Sequence, residues 1–221
     1  MTGGAAFAGA NKQQITFGAG GTGTQTSGAG VIAPSYPASI TGGMLLLLLV
    51  KVKDAGVAAI TTPSGWTLIT SSSVASTNLF KAFYKVADGT ESGTLSVTVT
   101  DSAYAVARIY RFSNGTGVEA ANSNNSAGSS TTCSNVNVTT TLTLEMACQC
   151  YSWEGTATTI GNSSGESGAD YTEAVAVYAS ATAGLDLQTA TCAAASTITG
   201  GSATLGAAKT NHENIGFAFL P

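Results

Sequence analysis

The single histidine of this chain is the first candidate for a catalytic residue. His212 lies in segment 209–214, directly before the last hydrophobic stretch. A Ser/His/Asp site needs a serine that is activated on a defined turn. We do not interpret segment 161–165 as such a turn. We therefore predict His212 to be a loop or interface residue, whose imidazole could at most respond to pH.

Two cysteines lie close together, at Cys148 and Cys150. A structural zinc site uses four ligands, usually supplied by Cys-x-x-Cys turns, and this spacing is different. The pair shares the face of one predicted strand with Leu142, Leu144 and Met146. We therefore predict buried, metal-free thiols that act as small hydrophobic side chains.

Three acidic residues and two tryptophans complete the candidates. Glu166, Asp170 and Glu173 form an acidic cluster. A glycosidase needs two carboxylates about 5 to 10 Å apart in a cleft, whereas this segment reads as a solvated turn with a Ca²⁺ site as the alternative. Trp66 and Trp153 could stack on sugars, but tryptophans more often belong to a core.

Glycine-rich phosphate loops are also missing from the sequence. Segment 18–21 (GAGG) is followed by neither the lysine nor the helix that such a loop requires. The sequence thus predicts no catalytic, cofactor-binding or metal-binding residue, and we expect a protein that is not an enzyme.

Charge is sparse and unevenly distributed. Only 9% of the 221 residues are charged, and the net charge is −4. Residues 1–113 carry seven basic and four acidic residues, whereas residues 114–221 carry one basic and eight acidic residues. This balance argues against a general nucleic-acid binder, which would be basic. The asymmetry could orient a subunit contact, but we favour a solvated surface as its explanation. Four cysteines at low density indicate folding in a reducing cytoplasm.

The rest of the chain is organised around residues 44–53 (MLLLLLVKVK). The apolar run is too short to cross a membrane, which takes about 20 residues. A short apolar run between turn residues is typical of a strand that is buried on both faces. After Val50 the pattern splits, with Val52 on one face and Lys51 and Lys53 on the other. We therefore expect this strand to reach the surface at its end.

Further segments alternate with the two-residue period of strands. They are residues 79–86, 95–99, 142–152, 170–179 and 215–219. Residues 104–112, with mixed faces, are also expected to form a strand, and residues 185–198 one or two strands. The two halves of the chain look like loose copies, each opening with a long apolar strand and closing on an aromatic one. We predict an all-β protein, an antiparallel, jelly-roll-like β-sandwich built from two Greek-key-like halves. Two small sandwiches, divided near residue 120, are the alternative.

The N-terminal part has a different composition. Residues 1–12 are rich in glycine and alanine and read as a flexible arm, and residues 18–30 read as linker or loop. We therefore divide the chain into an arm and linker at residues 1–30 and a sandwich domain at residues 31–221.

Several short motifs resemble the β-sandwich modules of tailed-bacteriophage virion proteins. They are residues 42–50 (GGMLLLLLV), 63–68 (PSGWTL), 83–87 (FYKVA), 108–112 (RIYRF) and 215–221 (IGFAFLP). The resemblance spans residues 31–221 and brings no catalytic residues with it. It implies a virion structural protein, either a capsid decoration or cement protein, or a tail or fibre appendage that binds a host glycan or receptor.

The first of these roles is the one that we expect. The compact domain has no helical or repetitive stalk, which a fibre would usually add. We expect a protein made in the host cytoplasm and placed on the capsid surface, where the major capsid protein and further copies of the chain, in trimers, are its partners. Nucleic acid and membrane are not expected partners. An enzyme that hydrolyses glycans is the third and least favoured alternative.

Overall fold

The computed structural model describes residues 12–74, 78–155, 159–174, 178–179 and 183–221. The described chain is an antiparallel β-sandwich without helices, so the predicted all-β sandwich is confirmed. The first sheet contains β1 (Thr16–Gly20), β2 (Thr24–Ser27), β3 (Gly30–Ile32), β4 (Leu45–Ile60), β5 (Thr67–Val74), β6 (Asn78–Val86) and β7 (Val97–Ser113).

The second sheet contains the strands that follow. They are β8 (Gly117–Ser126), β9 (Ser130–Ser134), β10 (Val138–Thr139), β11 (Met146–Glu154), β12 (Ser164–Ser167), β13 (Thr172–Glu173), β14 (Tyr178–Ala179), β15 (Ala183–Thr191) and β16 (Thr197–Leu220). Each half of the chain therefore supplies one complete sheet.

The two sheets have the same strand order. In the first, β7 pairs with β4, β4 with β6, and β6 with β5, while β1, β2 and β3 lie along the outer side of β7. In the second, β16 pairs with β11, β11 with β15, and β15 with β13 and β14, while β8, β9, β10 and β12 lie along β16. The two halves, which look like loose copies in sequence, therefore also form sheets of the same strand order.

The main core lies between the sheets. Alternate residues of β4, including Leu45, Leu47 and Leu49, pack against alternate residues of β16 such as Ile215 and Phe217. The phenyl rings of Phe112 and Phe219 meet across this core with centroids 4.7 Å apart. The period-two pattern read from the sequence therefore predicts the inward faces of both strands.

A second core covers the outer face of the first sheet. Leu46, Leu48 and Val50 pack there with Trp66 and Phe83, under residues of the loops that precede β4 and β7. The five leucines at positions 45–49 are all fully buried because each face of β4 has its own cover. The expectation of a strand buried on both faces is confirmed.

Several local expectations were wrong. Residues 18–30, expected to be linker or loop, largely form β1, β2 and β3, which pair along β7. The polar stretch that follows residue 114, which is not among the strands predicted from the sequence, contains β8, an edge strand on β16. The strand predicted over residues 142–152 begins only at Met146, because Leu142 and Leu144 belong to the preceding turn. The predicted arm at residues 1–12 lies outside the described residues except for Lys12, and Val175 and Val177 also lie outside them.

Candidate functional site

Two lysine–carboxylate pairs join the sheets at one end of the sandwich. Lys51 and Lys53 continue the inward face of β4 beyond Leu49, and Glu213 and Glu154 continue the inward faces of β16 and β11. Lys51 pairs with Glu213 and Lys53 pairs with Glu154. The expectation that β4 surfaces with its lysines was therefore wrong for Lys51, which meets a carboxylate from the other half of the chain.

The Lys51–Glu213 pair is completely buried, with both side chains 0% exposed. The ammonium group donates to Oε1 of Glu213, and the Ser152 hydroxyl donates to Oε2 over 2.7 Å. Burial lowers the pKa of Lys51 against the attraction of Glu213. Burial likewise raises the pKa of Glu213 against the opposing effect of Lys51. Both directions have the same cause, since a dry core disfavours charged forms.

The Lys53–Glu154 pair lies closer to the solvent. The Lys53 side chain is 36% exposed and the Glu154 side chain 12%. The amide of Asn211 also donates to Glu154, and the ammonium group lies 5.9 Å from the centroid of the Tyr104 ring. The two pairs therefore consist of the same residue types, but one is closed to solvent and the other is partly exposed. They also account for part of the charge asymmetry, because basic residues of the first half meet acidic residues of the second.

His212 is a buried residue of β16, and the prediction that it lies in a loop was wrong. It is 4% exposed and pairs with Ser126 of β8. Neither ring nitrogen closes a hydrogen bond. Burial lowers the pKa of His212, although nearby backbone groups of Thr132 and Lys209 oppose that shift. We therefore expect this imidazole to be neutral at neutral pH.

A polar pocket of about 270 Å³ lies beside His212, where β8 and β9 separate over the bend of β16. The bend contains Asn211 in the left-handed conformation, with φ of 51°. The lining consists of side chains rich in amide and hydroxyl groups: Asn124, Asn125, Ser126, Ser130, Thr132, Cys133, Ser134, His212, Glu213 and Asn214. Such a lining can hydrogen-bond a small neutral ligand.

Segment 161–165 has the Gly-x-Ser-x-Gly spacing, but its structure is not that of a nucleophile turn. Ser163 precedes the short strand β12, and its hydroxyl oxygen accepts a hydrogen bond from the Asn135 amide at 2.7 Å. Its neighbour Ser164 pairs with Ser202 of β16, which is ten positions before His212. Ser163 therefore lies beside a part of β16 that is distant along the strand from His212.

The other predicted residues also lie where a structural role explains them. Cys148 and Cys150 are fully buried in the core between the sheets, and all four cysteines are free. Trp66 is 6% exposed and Trp153 is 0% exposed, so both are core aromatics, as expected. The predicted burial of the cysteine pair and of the tryptophans is confirmed.

The three acidic residues of the predicted cluster have separate surroundings in the structure. Glu166 accepts a hydrogen bond from the Asn135 amide at 3.0 Å. Asp170 is exposed, and the exposed Glu173 belongs to β13, where its backbone N–H donates to Asn162. Within the described ranges, no three histidine, cysteine, aspartate or glutamate side chains come together as a metal site would require.

A carboxyl pair that sequence reasoning missed lies at the turn before β11. Glu145, which is 0% exposed, and Glu119 both accept the backbone N–H of Thr141. Burial and the neighbouring Glu119 raise the pKa of Glu145 to about 7. Burial would raise the pKa of Glu119 too, but hydrogen bonds from Glu145 and Thr141 outweigh it and lower that pKa. The pair therefore holds one proton on Glu145 below neutral pH.

Asp186 is a second missed carboxyl, on the outer face of β15. It is 1% exposed, its Oδ2 accepts from Gln188 at 3.0 Å, and its Oδ1 has no partner. Burial raises its pKa to about 7 despite the hydrogen bond from Gln188. The folded protein thus binds a proton on Asp186 at pH values where the unfolded chain has released it.

Asp186→Asn is expected to remove part of the pH dependence of folding. Because the folded pKa lies above the unfolded one, stability falls as pH rises from about 4 to about 7. The variant should gain on the parent by about 1.4 kcal/mol per pH unit within that window. Urea unfolding at pH 5, 6, 7 and 8 measures this gain. The exposed Asp170→Asn serves as control, and a parent–variant difference that is constant with pH would contradict the expectation.

Comparison of the chain with protein-family models, curated proteins and solved structures finds no match. In the described part of the chain, no helix is long and apolar enough to cross a membrane. The resemblance to virion modules therefore stays a prediction, and the site itself must carry the functional argument.

Proposed function

We propose that this chain is a non-enzymatic structural protein of a virion, most specifically a decoration or cement protein that binds the capsid shell of a tailed phage. The observation that carries the proposal is the use of the ionisable side chains. Lys51, Lys53, Glu154 and Glu213 join the two sheets to each other, and the central pair is closed to solvent. Such a site strengthens a particle component and gives a substrate no access.

The outer surface supports the same role. Exposed positions of β5, β8 and β9 are mostly serine, threonine and asparagine. A surface with few charges and many short side chains can approach a neighbouring subunit without desolvating ionised groups, which is costly. The major capsid protein and further copies of this chain, assembled as trimers, are the partners in this proposal. Many weak contacts in a closed shell then act together through effective concentration.

Co-sedimentation with capsids stripped of accessory proteins tests the proposal. Full-length protein should pellet with the particles and raise the temperature at which they release nucleic acid. Deletion of residues 2–12 should weaken both effects without unfolding the sandwich, because the cut ends before the buried Ile15. Native mass measurement reports the oligomeric state in the same samples. If neither full-length nor shortened protein binds or protects capsids, the proposal is wrong.

A tail or fibre appendage that binds host glycan is the second candidate. The polar pocket beside His212 is the observation in its favour, since amide and hydroxyl groups are suitable partners for a sugar. Burial of Trp66 and Trp153 removes these two rings as stacking platforms. Retention of labelled host-envelope glycan by the protein, together with no binding to stripped capsids, would favour this candidate.

A further inference from the structure

The Lys51–Glu213 pair places an amine directly against a carboxyl group in the dry contact between the sheets. The residues lie 162 positions apart in the chain and come from different halves of it. Neighbouring inward positions are apolar, as with Leu49, Phe80 and Ile215. Two flexible, oppositely charged side chains are thus held together at a point where water has no access.

We propose that Lys51 and Glu213 join in an intramolecular amide bond that crosslinks the two sheets. In water an amine and a carboxylic acid do not condense readily, because both are ionised and hydrated. In this core hydration is removed, and burial shifts both groups towards the uncharged amine and the uncharged acid, although each charge still stabilises the other. Fixed proximity adds an effective concentration of about 10⁵ M or more for well-oriented groups.

The condensation balances without any further reactant. A proton passes from Nζ of Lys51 to Oε1 of Glu213, which leaves a neutral amine and a neutral acid. The nitrogen lone pair then attacks Cδ, and a second proton passes from Nζ to Oε1. The Cδ–Oε1 bond breaks with its electron pair on oxygen, water leaves, and the Nζ–Cδ amide remains. No oxidant or reductant is needed.

Ser152 is placed to assist this step as a positioning residue. Its hydroxyl donates to Oε2 over 2.7 Å, while Nζ contacts Oε1. The two oxygens are therefore distinguished before the reaction. Oε2 is held by a donor that stabilises negative charge in the tetrahedral intermediate and becomes the amide oxygen. Oε1, which faces the proton source, becomes the leaving water.

The neighbouring Lys53–Glu154 pair provides an internal comparison. It has the same residue types and also joins the two sheets, but the Lys53 side chain is 36% exposed. Water reaches that ammonium group and competes with the carboxylate for its N–H donors, so the dry contact that the reaction needs is missing there. We therefore expect the crosslink at the buried pair and an ordinary ion pair at the exposed one.

Peptide mapping by mass spectrometry tests the proposal on the purified full-length protein after denaturation. The expected product is a branched peptide that contains residues 51 and 213 and is lighter by one water molecule than the sum of its two linear parts. The intact protein should show the same deficit. If Lys51 and Glu213 appear only in linear peptides, the proposal is overturned.

Three variants make the assignment specific. Lys51→Met should lose the branched peptide, and Lys53→Met should keep it. Leu47→Ala keeps both reacting residues but weakens the fold, so the branched peptide should persist in its folded fraction. This third variant separates loss of the reacting amine from loss of stability. A branched peptide that persists in Lys51→Met, or that disappears in Lys53→Met, overturns the assignment to the buried pair.

Discussion

Replacement of Lys51 by methionine is expected to lower the free energy of unfolding by about 3–5 kcal/mol. The substitution leaves Glu213 fully buried, with the Ser152 hydroxyl as its remaining polar contact in place of the ammonium group. Removal of one partner from a buried ion pair costs more than the pair itself contributes, because the other charge stays desolvated. Loss of the proposed amide bond would add to this cost.

Urea unfolding of the parent and three variants measures the effect. Lys53→Met is the matched control, and because this pair is partly exposed it should cost only about 0–1 kcal/mol. The double variant Lys51→Met/Glu213→Leu should recover part of the loss, since neither charge then remains in the core. A Lys51→Met variant whose free energy of unfolding lies within about 1 kcal/mol of that of the parent would contradict the description of the pair.

Leu47→Ala is expected to destabilise the sandwich by about 2–5 kcal/mol. Leu47 is 0% exposed and packs in the core between the sheets, so its removal leaves a cavity that the neighbouring strands cannot fill. Leu68→Ala provides a control with the same chemical change at a side chain that is 41% exposed. Thermal and urea unfolding of both variants should show a large loss for Leu47 and a much smaller one for Leu68. Equal losses would show that burial does not determine the effect.

Much of the sandwich could be predicted because its strands carry a regular hydrophobic signal. The alternation in β6 and at the end of β16 identifies Phe80, Ala82, Phe217 and Phe219 as inward residues, and the structure places them in the core. The unbroken leucine run predicts double burial of β4 because no polar position interrupts it. The local sequence pattern is sufficient to predict a strand where one face of that strand packs in the core.

The edge strands lack that signal. β8 contains mainly asparagine and serine, and β2 mainly threonine, glutamine and serine. Their pairing with β16 and β7 rests on backbone hydrogen bonds, which any residue except proline can form. Side-chain pattern therefore carries little information about them, and the sequence reads as linker.

The candidate site was hidden for a different reason. The sequence places Lys51 on the face opposite Val50 and Val52, which the structure confirms. What the sequence alone could not provide was its partner, since Glu213 lies in the other half of the chain. A lysine at the end of a hydrophobic strand ordinarily indicates solvent. Here it indicates a carboxylate from the other sheet, and only the three-dimensional arrangement brings the two together.

Because each half of the chain supplies one sheet, the contact between the sheets resembles an interface between two proteins. No backbone ladder crosses from one sheet to the other in the described chain. The halves are joined by apolar packing, by the two ion pairs, and by side-chain bonds such as Ser72 to the Asn124 carbonyl. The chain segment between β7 and β8 thus tethers two complementary partners. Cut there, and without the proposed amide bond, the two fragments would each keep a complete sheet with an apolar face, and opposite net charges would favour association of unlike fragments over like ones.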